Sequence, residues 1–381
     1  MFQPELVPLF YPGAVLSSLG SQALQSLGDL YSSIDIEQDP YMIKLRSDPA
    51  TNPSHLTKVL FSQKTYCQEQ LKSLFTKSKD IFDELGSWAA DYYISSITQK
   101  FCSKGTDSVF SFHTLDDAEK VYLKNILLSF QNPSPQQTFM ENGLHLSEKV
   151  QCLINFLMSI ESADFTGLVF VKTRAACAVL AHLLSVHVQT RDNLRISTFV
   201  GMSANANKKF DLGELVDVKN QKDTLDDLRR GQKNLVITTS ALEEGIDVSA
   251  CNLVVCFEKP PNLKSFIQRR GRARKSQSKY VLMFSEEDSK NALATWQRLE
   301  EEMRQLYMDE MRQLQELRKI EEGDNGNREL KVESTGYVID LSPSVPLKCL
   351  PERAKQLMTY SRHLRLHSMR GSMCISLTFF E

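Results

Sequence analysis

The first 43 residues contain neither lysine nor arginine, the first cation being Lys44, and this excludes the basic start of a secretory leader. No apolar run is long enough to cross a bilayer, so no membrane partner is expected. The eight cysteines, Cys67, Cys102, Cys152, Cys177, Cys251, Cys256, Cys349 and Cys374, include no CxxC pair. That removes the spacing used by zinc and dithiol redox sites, and no metal ligands are assigned. Several of these thiols sit in apolar runs, where cysteine packs as a small hydrophobe, and buried reduced cysteine points to a cytoplasmic or nuclear compartment. No segment reads GxxxxGK(S/T), the signature of a phosphate loop. Net charge is scarce as well, at -2 over 381 residues, so a polyanion would have to be met by a local patch rather than by a generally cationic protein.

Such a patch is present. Lys264, Arg269, Arg270, Arg272, Arg274, Lys275 and Lys279 fall between Lys264 and Tyr280 with no acidic residue among them, and they surround Gly271. Guanidinium forks match phosphate oxygens, and Gly271 would let backbone approach a ligand closely. A basic helix end that complements its own dipole would look the same in isolation. Acidic residues downstream, among them Glu300, Glu301, Glu302, Asp309 and Glu310, offset the charge.

A length of 381 residues with 41% hydrophobic content allows two or three domains. After an irregular start containing proline and serine, residues 1–135 read as helical. Leu71, Leu74, Phe75, Ile81, Phe82 and Leu85 follow one helix face, with Gly86 as the stop. Trp88, Tyr92, Tyr93, Val121, Leu123, Leu127 and Leu128 mark further helices. Gln131–Asn132–Pro133–Ser134–Pro135 breaks the pattern as a linker. Residues 140–285 then alternate short apolar strands with helices: strands at Leu168–Val171, Ile196–Val200, Leu235–Thr238, Leu253–Phe257 and Tyr280–Phe284, and a helix from about Ala175 to Val186. This order predicts an α/β fold with a parallel sheet, whose ligands lie at the carboxyl ends of the strands. Residues 286–322 form an amphipathic stretch opened by Ser285 and Asp288 at capping-box spacing, either docked on a neighbour or paired as a coiled coil. Residues 323–381 begin with a Gly/Asn-rich break, and no periodicity is evident beyond about Leu341, so a poorly ordered tail is expected.

The segment Val236–Ile237–Thr238–Thr239–Ser240–Ala241–Leu242–Glu243–Glu244–Gly245–Ile246–Asp247 places two hydroxyls after a strand, then glycine and a carboxylate. Hydroxyls and free amides at such a junction suit phosphate, and a carboxylate suits ribose, though a simple N-cap and turn would use the same residues. Together with Gln268 and Gly271–Arg272–Ala273–Arg274, this segment resembles motifs V and VI of superfamily 2 helicases. Gly167–Leu168–Val169–Phe170–Val171–Lys172–Thr173–Arg174 resembles motif IV, and Arg195–Ile196–Ser197–Thr198–Phe199–Val200–Gly201 is similar to the strand motif that follows it. Within that superfamily the pattern looks closest to fungal Dicer-like proteins, through Thr224–Leu225–Asp226–Asp227–Leu228–Arg229, Ala250–Cys251–Asn252–Leu253–Val254–Val255 and Lys259–Pro260–Pro261–Asn262–Leu263. The helical front, including Lys64–Thr65–Tyr66–Cys67–Gln68–Glu69–Gln70–Leu71, resembles that family's helical insertion domain.

The resemblance implies a RecA-like parallel-sheet domain, a largely helical insertion and long C-terminal pincer-like helices, with Ser334–Thr335–Gly336 similar to the opening of a Dicer dimerisation domain. It implies ATP with Mg²⁺ as cofactor, double-stranded RNA as partner, and a role in RNA silencing or antiviral defence. Arg272 and Arg274 would be arginine fingers, with Gln268, Gly245, Asp247 and Gly271 around the nucleotide. Thr173, Arg174, Gly201, Thr238 and Thr239 would face the RNA backbone. The family's phosphate loop and DExH motif do not occur in this sequence, since Asp83–Glu84–Leu85–Gly86 lies on a helical pattern without the histidine, and no ribonuclease III signature is found. The expectation is therefore half an ATP site, completed only by a complementary RecA-like domain, in a truncated product. The alternative is a non-catalytic module that binds RNA or a protein partner.

Overall fold

A computed structural model describes residues 4–13, 20–47, 53–62, 64–103, 115–129, 146–160, 165–201, 211–214, 221–244, 251–288, 291–323, 329–332, 337–340, 366–369 and 372–375. The chain divides into two compact units, Met1–Glu300 and Glu301–Glu381.

In the first unit the elements run β1 (Glu5–Tyr11), α1 (Gln22–Ser33), α2 (Pro40–Ser47), α3 (Pro53–Ser62), α4 (Tyr66–Leu85), α5 (Ser87–Ser103), α6 (Asp117–Ser129), α7 (Glu148–Met158), β2 (Gly167–Phe170), α8 (Arg174–Val186), β3 (Ile196–Phe199), α9 (Gln221–Arg229), β4 (Leu235–Thr238), β5 (Leu253–Cys256), α10 (Leu263–Arg270) and β6 (Lys279–Ser285). The helix α11 (Ala292–Gly323) follows. The six strands form one sheet in the order β1-β6-β5-β2-β4-β3, and every pairing is parallel. Central strands of such a sheet are covered on both faces and read as unbroken apolar runs; β2, β4 and β5 are buried at all of their positions. Gly167 pairs with both Leu235 and Leu253, so these three strands run in step and their carboxyl ends are level.

Strand β1 differs from the sequence expectation of an irregular start. It pairs along its length with β6, Pro8 opposite Leu282. Proline cannot donate to a ladder and is confined to edges, and Pro4, Pro8 and Pro12 mask a strand that occupies the sheet's edge. Helices α1 to α6 are thus inserted between the first and second strands of the sheet. Of these, α1, α4, α5 and α6 share the sheet's core: Leu71, Leu74, Leu85, Tyr93 and Ile94 belong to one buried cluster with Val169, Ile237, Val255 and Val281 from one face of the sheet, whereas Met42, Leu45 and Val59 of α2 and α3 form a small cluster of their own. The alternate strand residues Leu168, Val236, Val254 and Leu282 point to the other face, against Phe266 of α10.

Helix α4 begins where Thr65 caps it, its hydroxyl accepting the Gln68 N–H at 3.3 Å. It ends at Gly86, whose φ of 102° and ψ of 177° suit glycine alone. The proline-rich linker at 131–135 lies outside the described residues. The Ser285 and Asp288 pair closes a turn instead of starting a helix: Ser285 ends β6, its N–H donates to Asp288 Oδ2 at 2.9 Å, and the helix begins only at Ala292. The amphipathic stretch expected over residues 286–322 is, from Ala292 to Gly323, a single helix of 32 residues. In the second unit β7 (Glu329–Val332) pairs antiparallel with β8 (Tyr337–Asp340), and β9 (Leu366–Met369) with β10 (Ser372–Ile375). Part of the expected structureless tail is therefore strand, while Ser334–Thr335–Gly336 lie outside the described residues.

Candidate functional site

Residues singled out from the sequence gather at the carboxyl edge of the sheet. After β2, the turn Val171–Lys172–Thr173 leads into α8, where Thr173 is the N-cap and its hydroxyl accepts the Ala176 N–H at 3.0 Å. Arg174 opens the helix, half-buried, with no acidic residue in the first turn. Gly201 follows β3, and a Cβ there would stand 3.3 Å from the Cβ of Ala241, in the short turn after β4. Thr173, Arg174, Gly201 and Thr239 therefore share the ends of the adjacent strands β2, β4 and β3. Thr238 does not face outward with them. It is fully buried and its hydroxyl donates to the Thr239 carbonyl at 3.0 Å, because the strand's side-chain alternation turns it into the core. Thr239 is half-buried, and its side chain makes no capping hydrogen bond.

The basic segment divides into two sets. Arg269 is only 5% exposed; its Nε donates to Glu243 Oε1 at 2.7 Å and its guanidinium lies 4.9 Å from the centre of the Phe170 ring. Arg270 forms a two-pronged ion pair with Glu300 of α11 and lies over the Phe266 ring. These two arginines, in the last turn of α10, where a cation complements the helix dipole, belong to the fold and are not available as a phosphate field. Arg272 and Arg274 lie beyond the helix. Arg272 is half-buried, with Nη2 donating to the Glu243 carbonyl at 2.8 Å. Arg274 is exposed, with Nε donating to the Gly271 carbonyl at 2.7 Å. Gly271 has φ of -63°, and an added Cβ would meet only two carbonyl oxygens at 3.4 Å. Among the described residues nothing therefore requires glycine there, and Gly271 is exposed.

Glu243 and Glu244 tie the segment after β4 to α10. The Glu243 carboxylate accepts from Ser265 Oγ at 3.0 Å as well as from Arg269. Glu244 accepts from Gln268 Nε2 at 2.9 Å and pairs with Lys264 at 3.0 Å, and these hydrogen bonds hold its carboxyl below the ordinary range. Gln268 is thereby held beside the arginines. Gly245 and Asp247 lie outside the described residues. Sequence reading missed Glu243 and Glu300 as partners, although the acidic pair Glu243–Glu244 ahead of a purely basic helix was a visible signal of charge complementarity.

Next to this edge a cleft of about 610 Å³ opens over the ends of β1, β2, β5 and β6, lined by Tyr11, Glu84, Lys149, Lys172, Glu258 and Arg269 among others. Lys149 is 7% exposed and reaches Glu84 Oε2 at 2.5 Å. Burial pushes the Glu258 carboxyl up to about 7, Lys149 opposing and Glu84 reinforcing the shift. Neither Lys149 nor Glu258 was picked out from the sequence, and Glu84 entered only within a segment set aside as a DExH match, since the three stand more than 60 residues apart. Among the described residues only Asp39, Cys67 and Glu119 cluster closely enough to hold a metal ion. Their atoms are occupied, Asp39 by the Thr65 hydroxyl at 2.6 Å and Glu119 by the Asp116 N–H at 2.8 Å.

Residues 148–277 match the helicase conserved C-terminal domain. The chain is 42% identical over 347 residues to Dicer-like protein 2-1 of Aspergillus niger, covering 90% of this chain and 25% of that protein. It is 43% identical over 342 residues to Dicer-like protein 2 of Neosartorya fischeri, covering 88% and 24% respectively. The chain thus spans about a quarter of the length of the curated relatives it matches. Among solved structures, the Hef helicase domain of Pyrococcus furiosus aligns with 78% of this chain and 58% of its own, at 16% identity and a TM-score of 0.36. No described helix is long and apolar enough to cross a membrane.

Proposed function

Since this chain is the helicase C-terminal region of a Dicer-like protein, we propose that it grips the backbone of double-stranded RNA along the ends of β2, β3 and β4 and presents Arg272 and Arg274 to the phosphates of ATP. The observation that supports the RNA half is the level carboxyl ends of β2 and β4, which set Thr173 and Arg174 at the start of α8 next to Thr239 at the start of the following turn. Such contacts address phosphate and ribose, which makes binding sensitive to salt and nearly blind to base sequence.

The ATP half rests on the two arginines beyond α10. Arginines held by backbone carbonyls, next to an uncovered glycine, fit the phosphates of a nucleotide, with Gln268 alongside; ATP would supply the phosphoryl group whose developing charge they neutralise. The same residues do not fit Mg²⁺, because they offer no carboxylate: Glu243 and Glu244 are committed to Arg269, Ser265, Gln268 and Lys264. The phosphate loop would come from a complementary RecA-like domain, and the arena for the pair would be RNA silencing or antiviral defence.

The test is duplex-RNA binding by the full chain across a salt series. Binding at low salt, lost steeply as salt rises, is expected. Arg174→Ala should reduce the log–log salt slope by about one, the share of a single phosphate contact. Absence of duplex binding at low salt would refute the RNA half.

A further inference from the structure

Glu258 has no part in the contacts above, yet it stands directly behind the Lys172–Arg174 turn. Its Oε2 accepts the Lys172 N–H at 3.0 Å, and one residue on, Thr173 caps α8. The turn is therefore pinned at two successive positions, one of them a carboxylate reaching from the end of β5. On the other side of Glu258 lies Lys149 of α7, whose Nζ reaches Glu84 of α4 and sits 4.3 Å from the centre of the Phe257 ring. The carboxylate thus holds the outward-facing turn from a cleft that the inserted helices also line.

We propose that Glu258 is a positioning residue for backbone-phosphate contacts at Lys172–Arg174, and that it takes up a proton when duplex RNA docks there. The proposal rests on the RNA-binding function set out above. A phosphate on the turn would lie across a single peptide from the carboxylate, well within a Debye length and beside a partly dry cleft, where like charges repel strongly. Protonation removes the repulsion while leaving a carbonyl oxygen to hold the Lys172 N–H.

The groups that face Glu258 leave it as the titrating member. Desolvation by burial brings it to about 7; Lys149 from α7 and Arg269 from α10 favour its charged form, while Glu84 from α4 opposes it. Tyr11 from β1 and Cys177 from α8 are each pushed up to about 12, burial being the first cause, and stay protonated at neutral pH. Asp288 and Lys259, further along the cleft, form an ion pair with each other. Because the complex holds the proton more tightly than the free protein, affinity falls as pH rises through 7.

The experiment measures duplex-RNA affinity of the full chain at low salt from about pH 6 to about pH 8.5, spanning the titration. The wild type should lose about three- to tenfold more affinity over this range than Glu258→Gln, corresponding to a binding-linked shift of up to about one pKa unit. Glu258→Gln keeps an oxygen for the Lys172 N–H without the charge, so it should bind at the upper pH about as well as the wild type does at the lower. Glu258→Ala, lacking both, should bind more weakly than Glu258→Gln throughout. Parallel pH profiles for wild type and Glu258→Gln would overturn the proposal while leaving RNA binding intact. Should Glu258→Gln fold poorly, calorimetric titration of the wild type in two buffers of different ionisation enthalpy reads proton uptake directly. Uptake of a substantial fraction of a proton near neutral pH supports the proposal, and none overturns it. A wild type that binds no duplex at any pH sinks the RNA function and this inference together.

Discussion

Replacing Glu243 by glutamine removes the charge facing Arg269 while preserving the shape of the side chain. The ion pair is closed at 2.7 Å, and its side chains are only 6% and 10% exposed. Removing one partner of such a buried pair costs about 3–5 kcal/mol, because the remaining charge stays in a poor solvent. The amide oxygen of glutamine retains a hydrogen bond worth about 1 kcal/mol, so a net loss of about 2–4 kcal/mol is expected. For a folded unit of this size each kcal/mol moves Tm by about 2–4 °C, which places the drop between about 5 and 15 °C. Trp296 stacks on Phe266 of α10 at 5.4 Å, so tryptophan fluorescence during thermal or urea unfolding reports on the helix concerned. Adding Arg269→Met to Glu243→Gln should recover most of the loss, since it removes the buried charge left unpaired while the amide keeps the Ser265 hydroxyl as a partner. A Tm for Glu243→Gln within about 2 °C of wild type, under 1 kcal/mol, would show Arg269 to be solvated. Arg269 would then belong to the phosphate surface and not to the fold.

Gly86→Ala should destabilise the protein by about 1–3 kcal/mol, because φ of 102° with ψ of 177° is open only to glycine; chemical denaturation measures it. Thr173→Ala should cost about 1 kcal/mol through loss of the α8 cap, and Thr173→Ser should restore it, as judged by the same assay. The raised pKa of Glu258, about 7 against 4.5, means that the folded protein holds this proton more tightly than the unfolded chain. Stability from this group is therefore full below about pH 4.5 and declines as pH rises towards 7, by at most about 3 kcal/mol and less where solvent screens it. Tm measured between about pH 5 and pH 8 should show this slope in wild type and lose it in Glu258→Gln; equal slopes would contradict the assignment.

Local chemistry is what a linear pattern carries, and it sufficed for much of this protein. The apolar runs at Leu168, Leu235 and Leu253 announced central parallel strands, since only a strand covered on both faces is uniformly hydrophobic. Thr173, Arg174, Arg272 and Arg274 were legible as candidates because a cap, a helix start and a glycine-flanked arginine pair are defined within a few residues. Strand β1 was not legible, since prolines disguise it and its partner β6 lies about 270 residues on. Nor was the fate of the arginines. Arg269 and Arg270 look identical to Arg272 and Arg274 in the sequence. Only packing against Phe170 and Phe266, with Glu243 and Glu300 brought in from 26 and 30 residues away, commits the first two to the interior. Composition and spacing determined that this chain would build a parallel α/β sheet edged with cationic and hydroxyl side chains. Which of those charges remain free for a ligand was decided by tertiary structure, because desolvation and pairing depend on neighbours that the order of residues does not name.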